Sequence, residues 1–216
     1  MSGSYRLTLD TRRNTQTRYN TCPTTPVDVV VERDGARDLQ SMRWGLIPYW
    51  WKKKTKETPA TFNARAETVA EKPMFRSSFK TKRCLIPASG HYEWQDTPTG
   101  KQPYYFTPCS GSALTFAGLW DEWRDIETKE LTKSCTMIIT EPNDFVREVH
   151  DRMPVILEEK NFEAWLSGEA GTELLKPAAN DVLQRWPVLR RVNSSRADDS
   201  DATLIERIEL PAAGVS

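Results

Sequence analysis

Short apolar runs alternate with turn-forming clusters along most of the chain, and the runs are too brief and too closely spaced for long helices. Residues 27–32 (VDVVVE) are mostly β-branched. They are followed by Asp34-Gly35, a dipeptide suited to a tight reversal, and by a second apolar run at 39–46, so the two runs predict a hairpin. Residues 84–86, 91–95, 103–106, 114–123 and 135–140 read as further strands, with turn signals at Pro98-Thr99-Gly100 and across 125–130. Two later strands are predicted at 153–157 and 187–192. Helical patterns are brief: 64–72 ended by Pro73, 74–80, a segment N-capped by Asn143 and running to Val149, and 162–166 with Gly168 as C-cap. Residues 52–59 and 194–202 read as exposed loops. Many strands without regular βαβ alternation predict an α+β fold dominated by antiparallel sheet, formed as a single domain over residues 1–216.

Composition narrows the classes. The longest apolar stretch, 113–120, is far short of the roughly 20 residues a membrane helix needs. Residues 1–10 carry no apolar signal core, so a cytoplasmic location with no membrane partner is expected. The four cysteines, Cys22, Cys84, Cys109 and Cys135, form no CxxC pair, and His91 and His150 are the chain's two histidines. No metal site and no cofactor are expected, and the thiols read as small core or half-buried groups. Net charge is zero, with 30 basic and 30 acidic residues, which by itself argues against a nucleic-acid partner. The distribution changes that picture: between Arg43 and Arg83 eleven Lys or Arg face three Glu, a local charge of +8. A solvated face balanced by an acidic one and a polyanion-binding face explain this equally well.

Three segments carry polar chemistry in unusual density. Phe62-Asn63-Ala64-Arg65-Ala66-Glu67 sets an amide, a guanidinium and a carboxylate among small residues. In Ala88-Ser89-Gly90-His91-Tyr92-Glu93-Trp94, strand alternation puts His91 and Glu93 on one face and Tyr92 and Trp94 on the other. Flanking aromatics would desolvate Glu93 and raise its pKa toward acid–base use. His150-Asp151-Arg152-Met153-Pro154 delivers an imidazole from a helix end to a strand entrance. Taken singly, each has an ordinary structural role: a surface carboxylate, a helix-terminal histidine, an Asn in a turn. Most of the eight tryptophans belong to apolar patterns, but Trp50 and Trp51 precede Lys52-Lys53-Lys54. A ring beside ammonium groups is a platform for base stacking or, nearly as readily, a loop anchor.

Taken together and in order, the segments resemble the SRAP family, the SOS-response-associated peptidases or abasic-site processing proteins. The resemblance rests on Tyr19-Asn20-Thr21-Cys22-Pro23, Trp44-Gly45-Leu46-Ile47-Pro48, the Asn63 and Glu93 segments, Arg83-Cys84-Leu85-Ile86-Pro87-Ala88, Phe116-Ala117-Gly118-Leu119-Trp120 and the His150 segment. It implies curved antiparallel sheets forming a pseudo-barrel with a few peripheral helices, around a groove for single-stranded DNA; a groove-forming domain this small is expected to be a monomer. It also implies covalent sensing of abasic sites. Once Met1 is removed, the α-amine of residue 2 forms a Schiff base with the sugar aldehyde, and in the family a cysteine thiol then closes a thiazolidine crosslink. By the same resemblance Asn63 holds sugar or nucleophile, Glu93 moves protons during imine formation, and His150 acts at ring opening or release. Trp50, Arg65, Arg76, Lys52 and Lys53 contact DNA.

The chain departs from the family pattern at its start. Met1-Ser2-Gly3-Ser4 stands where the family has Met-Cys-Gly-Arg, so a thiol and a phosphate-binding guanidinium are missing. A serine hydroxyl is a weaker nucleophile and closes at best a hydrolysable oxazolidine. A transient imine through Ser2, with strand cleavage by β-elimination as an accompanying lyase step, is therefore expected in place of a stable crosslink. The alternatives are a peptidase that processes its own first residue and a single-stranded DNA binding module without chemistry.

Overall fold

Asp34 and Gly35 both adopt positive φ, 51° and 73°, the reversal that seats Arg33 opposite Ala36. The hairpin predicted from 27–46 is thus β1 (Pro26–Arg33) with β2 (Ala36–Trp44), paired along its full length. These positions come from a computed structural model that describes residues 17–210. The remaining strands are β3 (Asn63–Arg65), β4 (Arg83–Ala88), β5 (His91–Thr97), β6 (Gly100–Pro108), β7 (Leu114–Arg124), β8 (Leu131–Thr140), β9 (Met153–Pro154) and β10 (Leu183–Pro187). The helices are α1 (Arg76–Thr81), α2 (Asp144–Arg147) and α3 (Phe162–Ser167).

The main sheet runs β2-β1-β4-β7-β8 and closes on itself, because β2 also pairs with β8 through Arg43–Ser134 and Trp44–Cys135. The result is a five-stranded barrel, antiparallel except at that seam, with β3 and β9 attached to β8. Close packing shows at Gly118, where an added Cβ would come within 2.8 Å of Cys84 Sγ and Ile86 Cδ1. Strand alternation divides the apolar residues into two clusters. Val30, Leu85, Ala117 and Leu119 pack against Phe79 of α1 and Phe162 and Trp165 of α3. Val29, Val31, Cys84, Ile86 and Phe116 point the other way, toward Phe106 of β6 and Val146 of α2. A second, antiparallel sheet, β10-β6-β5, covers that side, and its other face joins Tyr105 to Val188, Val192 and Leu204. The fold is thus α+β and mainly antiparallel, with peripheral helices.

Three local expectations are corrected. Residues 64–72 do not form a helix. Asn63–Arg65 is a strand parallel to β8, whose amides and carbonyls take the backbone bonds: Met137 N–H donates to Phe62 O at 3.0 Å and Ala66 N–H to Ile139 O at 2.8 Å. The last strand lies at 183–187 rather than 187–192, because 183–187 pairs with β6 while 190–193 coils into a 3₁₀ turn. The predicted strand at 153–157 is regular for two residues only. Beyond them it threads between β8 and β7, Val155 N–H donating to Ile138 O and Leu157 N–H to Thr115 O.

Candidate functional site

Gly90 brings β5 unusually close to β6: a Cβ there would lie 2.3 Å from Phe106 O and 2.4 Å from the Tyr105 ring. From that point the side chains alternate. Tyr92 and Trp94 turn to the outer aromatic layer, where Tyr92 Oη donates to Tyr19 O at 2.6 Å and Trp94 Nε1 to Asn193 Oδ1 at 2.7 Å. His91 and Glu93 turn inward. The His91 ring stacks on Phe106 (5.2 Å, 18°) and meets Phe116 edge-on (5.7 Å, 89°).

The second half of the site arrives on α2. Asn143 Oδ1 caps it by accepting from Val146 N at 2.8 Å, and Asn143 Nδ2 donates to Ala178 O at 2.9 Å, tying the cap to a distant loop. His150 follows directly, its N–H bonded to Val146 O at 3.0 Å. Its Nδ1 lies 3.2 Å from the Arg152 N–H and 3.3 Å from Glu93 Oε2. Arg152 in turn pairs with Glu67, which joins the His150 segment to the Asn63 segment. This ion pair is partly solvated and adds little stability; it fixes the path of the loop.

Glu93 is 15% exposed, and its burial, assisted by the charge of Asp151, pushes its carboxyl up to about 8. At neutral pH it is therefore mostly a proton-bearing acid. His91 is driven the opposite way: burial first, then the neighbouring His150, hold its pKa down at about 3, so the ring is neutral. Asn63 approaches on β3, opposite Met137 of β8, and its Oδ1 is buried without a hydrogen-bond partner among the described residues. Met137 lines a cavity of about 510 Å³ together with His91, Trp44, Ser89, Tyr105 and Phe116. Among the described residues no group of three or more His, Cys, Asp or Glu is arranged to hold a metal ion.

The site residues singled out in sequence are thus placed unequally. Glu93 and His150, 57 positions apart, are in direct contact. Asn63 pairs through its backbone with Met137, which lines the cavity, while Asn63 itself is not among the residues lining it. Ser2 lies outside the described residues. Trp50 is exposed on a turn that is firmly held: Asp121 Oδ2 accepts from Tyr49 N at 2.9 Å, Trp51 N–H donates to Pro48 O at 2.9 Å, and Trp123 Nε1 donates to Trp51 O at 2.7 Å. Lys52, Lys53, Arg65 and Arg76 are exposed, on this turn, on β3 and on α1. Two further residues stand beside those singled out in sequence. Tyr49 is 59% exposed beside Trp50, with no signal beyond that neighbour. His91 was legible only as sharing a face with Glu93.

A family model described as SOS response associated peptidase (SRAP) matches residues 3–195. The abasic site processing protein YoqW of Bacillus subtilis (strain 168) is 38% identical over 184 residues, which cover 82% of this chain and 81% of that protein. The abasic site processing protein HMCES of Xenopus tropicalis is 34% identical over 209 residues, covering 83% of this chain and 62% of its own length. Among solved structures, a protein from Bacteroides thetaiotaomicron superposes with a TM-score of 0.78 at 29% identity, over 86% of this chain and 82% of that one.

Proposed function

Because the chain belongs to the SOS response associated peptidase family, we propose that it processes abasic sites in single-stranded DNA through an imine formed by its own terminal amine. The observation that carries this reading is the Glu93–His150 contact at 3.3 Å, with the carboxyl pushed up to about 8. Imine formation needs an acid and an unprotonated amine at the same pH. The amine attacks C1′ of the open-chain sugar, forming the C–N bond, and its proton passes to the former aldehyde oxygen. The Glu93 carboxyl then protonates that hydroxyl, water leaves, and the nitrogen lone pair closes C=N; the resulting carboxylate recovers a proton from the imine nitrogen or through His150. An ordinary solvated Glu would already be ionised at neutrality and could not serve as the donor.

The nucleophile in this reading is the α-amine of Ser2 after removal of Met1. Asn63 holds the sugar, and the Trp50 turn with Lys52, Lys53, Arg65 and Arg76 takes bases and phosphates. With a hydroxyl at Ser2 the imine is not captured as a thiazolidine, so the adduct stays reversible and proceeds to hydrolysis or β-elimination.

The test is borohydride trapping of the protein on a single-stranded oligonucleotide with one abasic site, followed against pH. A free α-amine titrates near 7.7–8.0 and Glu93 near 8, so the trapping rate should pass through a maximum close to pH 8. Glu93→Gln should lose the alkaline limb and slow trapping about 100-fold. An alkaline limb that survives in Glu93→Gln removes Glu93 as the acid.

A further inference from the structure

The helix that delivers His150 cannot hold itself. α2 has four residues, a single turn, too short to persist without contacts from outside. Its first end is tied down by Asn143 and by Asn180, whose Oδ1 accepts from Asp144 N at 3.0 Å. Its last end, from which His150 departs, is held by another element, the inner face of the β10-β6-β5 sheet.

Cross-strand register places four polar side chains on that face. Glu93 stands opposite Tyr104, and Arg185 stands opposite Phe106, which is itself opposite His91, so Glu93, Gln95, Tyr104 and Arg185 point the same way. Glu93 meets His150 itself, and the other three close on the residues just before it. Gln95 Nε2 donates to Glu148 O at 2.9 Å, while Tyr104 Oη donates to Gln95 Oε1 at 3.3 Å and so fixes the amide with its donor end toward α2. The Arg185 guanidinium donates through one nitrogen to Phe145 O and through another to the Glu148 carboxylate, with its carbon 4.4 Å from the centre of the Phe145 ring. Both carbonyls belong to the C-terminal end of the helix, where acceptors are left open by the helix itself.

An apolar side chain in place of Arg185, which is 16% exposed, would cover Phe145 without desolvating a charge. What the guanidinium adds is direction, since its donors lie in one rigid plane and address two points of α2 at once. Gln95 adds coupling. It sits two residues from Glu93 on the same strand face, and it grips Glu148 two residues before His150. On the reading of Glu93 and His150 as the acid–base pair of the site, we propose that Arg185 and Gln95 are positioning residues: they bind the end of α2 to the sheet face that carries Glu93 and thereby set the Glu93–His150 contact. Neither lines the cavity, so they act through His150 and not on the substrate.

The experiment uses Arg185→Met, Arg185→Lys and Gln95→Met in the full chain, with the Glu93 carboxyl followed by NMR as the pH is raised. Asp151 and the His150 contact both arrive with the segment that follows α2, so loosening that segment should move the Glu93 titration down from about 8 toward the ordinary carboxylate range. Both Met variants should show this shift. Both should also be trapped more slowly on an abasic single strand at saturating DNA, Arg185→Met about 10- to 100-fold and Gln95→Met about 3- to 10-fold. Their affinity for a strand carrying the unreactive tetrahydrofuran analogue should match that of the wild type. Arg185→Lys, which keeps a donor but not the planar pair, should fall between Arg185→Met and the wild type. Lower melting temperatures with the Glu93 titration unmoved would mean a purely stabilising role and overturn the assignment; Gln95→Met decides this even if Arg185→Met does not fold. A loss of affinity as large as the loss of rate overturns it too, because the residues would then act on DNA. Failure of the wild type to be trapped defeats the proposed function alone, since the titration still reports whether the pair sets the contact at Glu93.

Discussion

At the scale of single residues, the two inward-facing groups of β5 lie outside their ordinary titration ranges in opposite senses. Burial raises the Glu93 carboxyl to about 8 and lowers the His91 imidazole to about 3, and both are neutral at pH 7. Neutrality has a stability consequence for Glu93. The folded protein holds a proton that the unfolded chain releases above its ordinary pKa of about 4.3, so the contribution is complete below that pH and is lost as the pH rises to the folded value near 8. Between pH 5 and 8 the wild type should therefore lose on the order of 3 kcal/mol relative to Glu93→Gln, or about 6–12 °C in melting temperature. Both proteins share His91, so subtracting the two melting curves isolates Glu93. Parallel curves across that range would show that the carboxyl titrates normally. The types of these residues were legible in sequence, since alternation placed His91 and Glu93 together and the aromatic neighbours announced desolvation. Their contact partners were not, because His150 meets Glu93 through tertiary structure alone.

At the scale of elements, the strands of the barrel were readable where an apolar run ended in its own turn chemistry, as at Asp34-Gly35. The errors fell where tertiary hydrogen bonding overrode local preference. Small residues around Asn63 favour a helix, but β8 leaves open backbone groups beside them, and pairing there wins. The strand, rather than a helix, fixes Asn63 opposite Met137. The short helix α2 shows the reverse case: its Asn143 cap was evident in sequence and is present. Because His150 hangs on the end of this one-turn helix, the cap also fixes the approach of His150 to Glu93. Asn143→Ala should cost about 1–2 kcal/mol, or about 2–8 °C, and should slow imine trapping as His150 loses its fixed approach to Glu93. An unchanged melting temperature would mean that the links from Asn143 to Val146 and Ala178 do not hold the segment.

At the scale of the whole molecule, barrel closure brings separated sequence segments together. The β2–β8 seam places the Trp44 segment against Cys135, β3 carries the Asn63 segment onto the same β8, and the Glu67–Arg152 pair ties in the His150 segment. No periodicity announces this convergence, and the sequence alone does not show that Asn63, Glu93 and His150 are close in space. Zero net charge likewise concealed a basic stretch whose members Lys52, Lys53, Arg65 and Arg76 are exposed. Exposed lysines also possess amines, so they are the natural competitors of the chain's first residue for an aldehyde. The most direct measurement is therefore to trap the protein on an abasic single strand with borohydride, digest both components, and locate the sugar remnant by mass spectrometry. The remnant should be found on the α-amine of the first residue of the mature chain. A remnant on Lys52, Lys53 or any other side chain would contradict it.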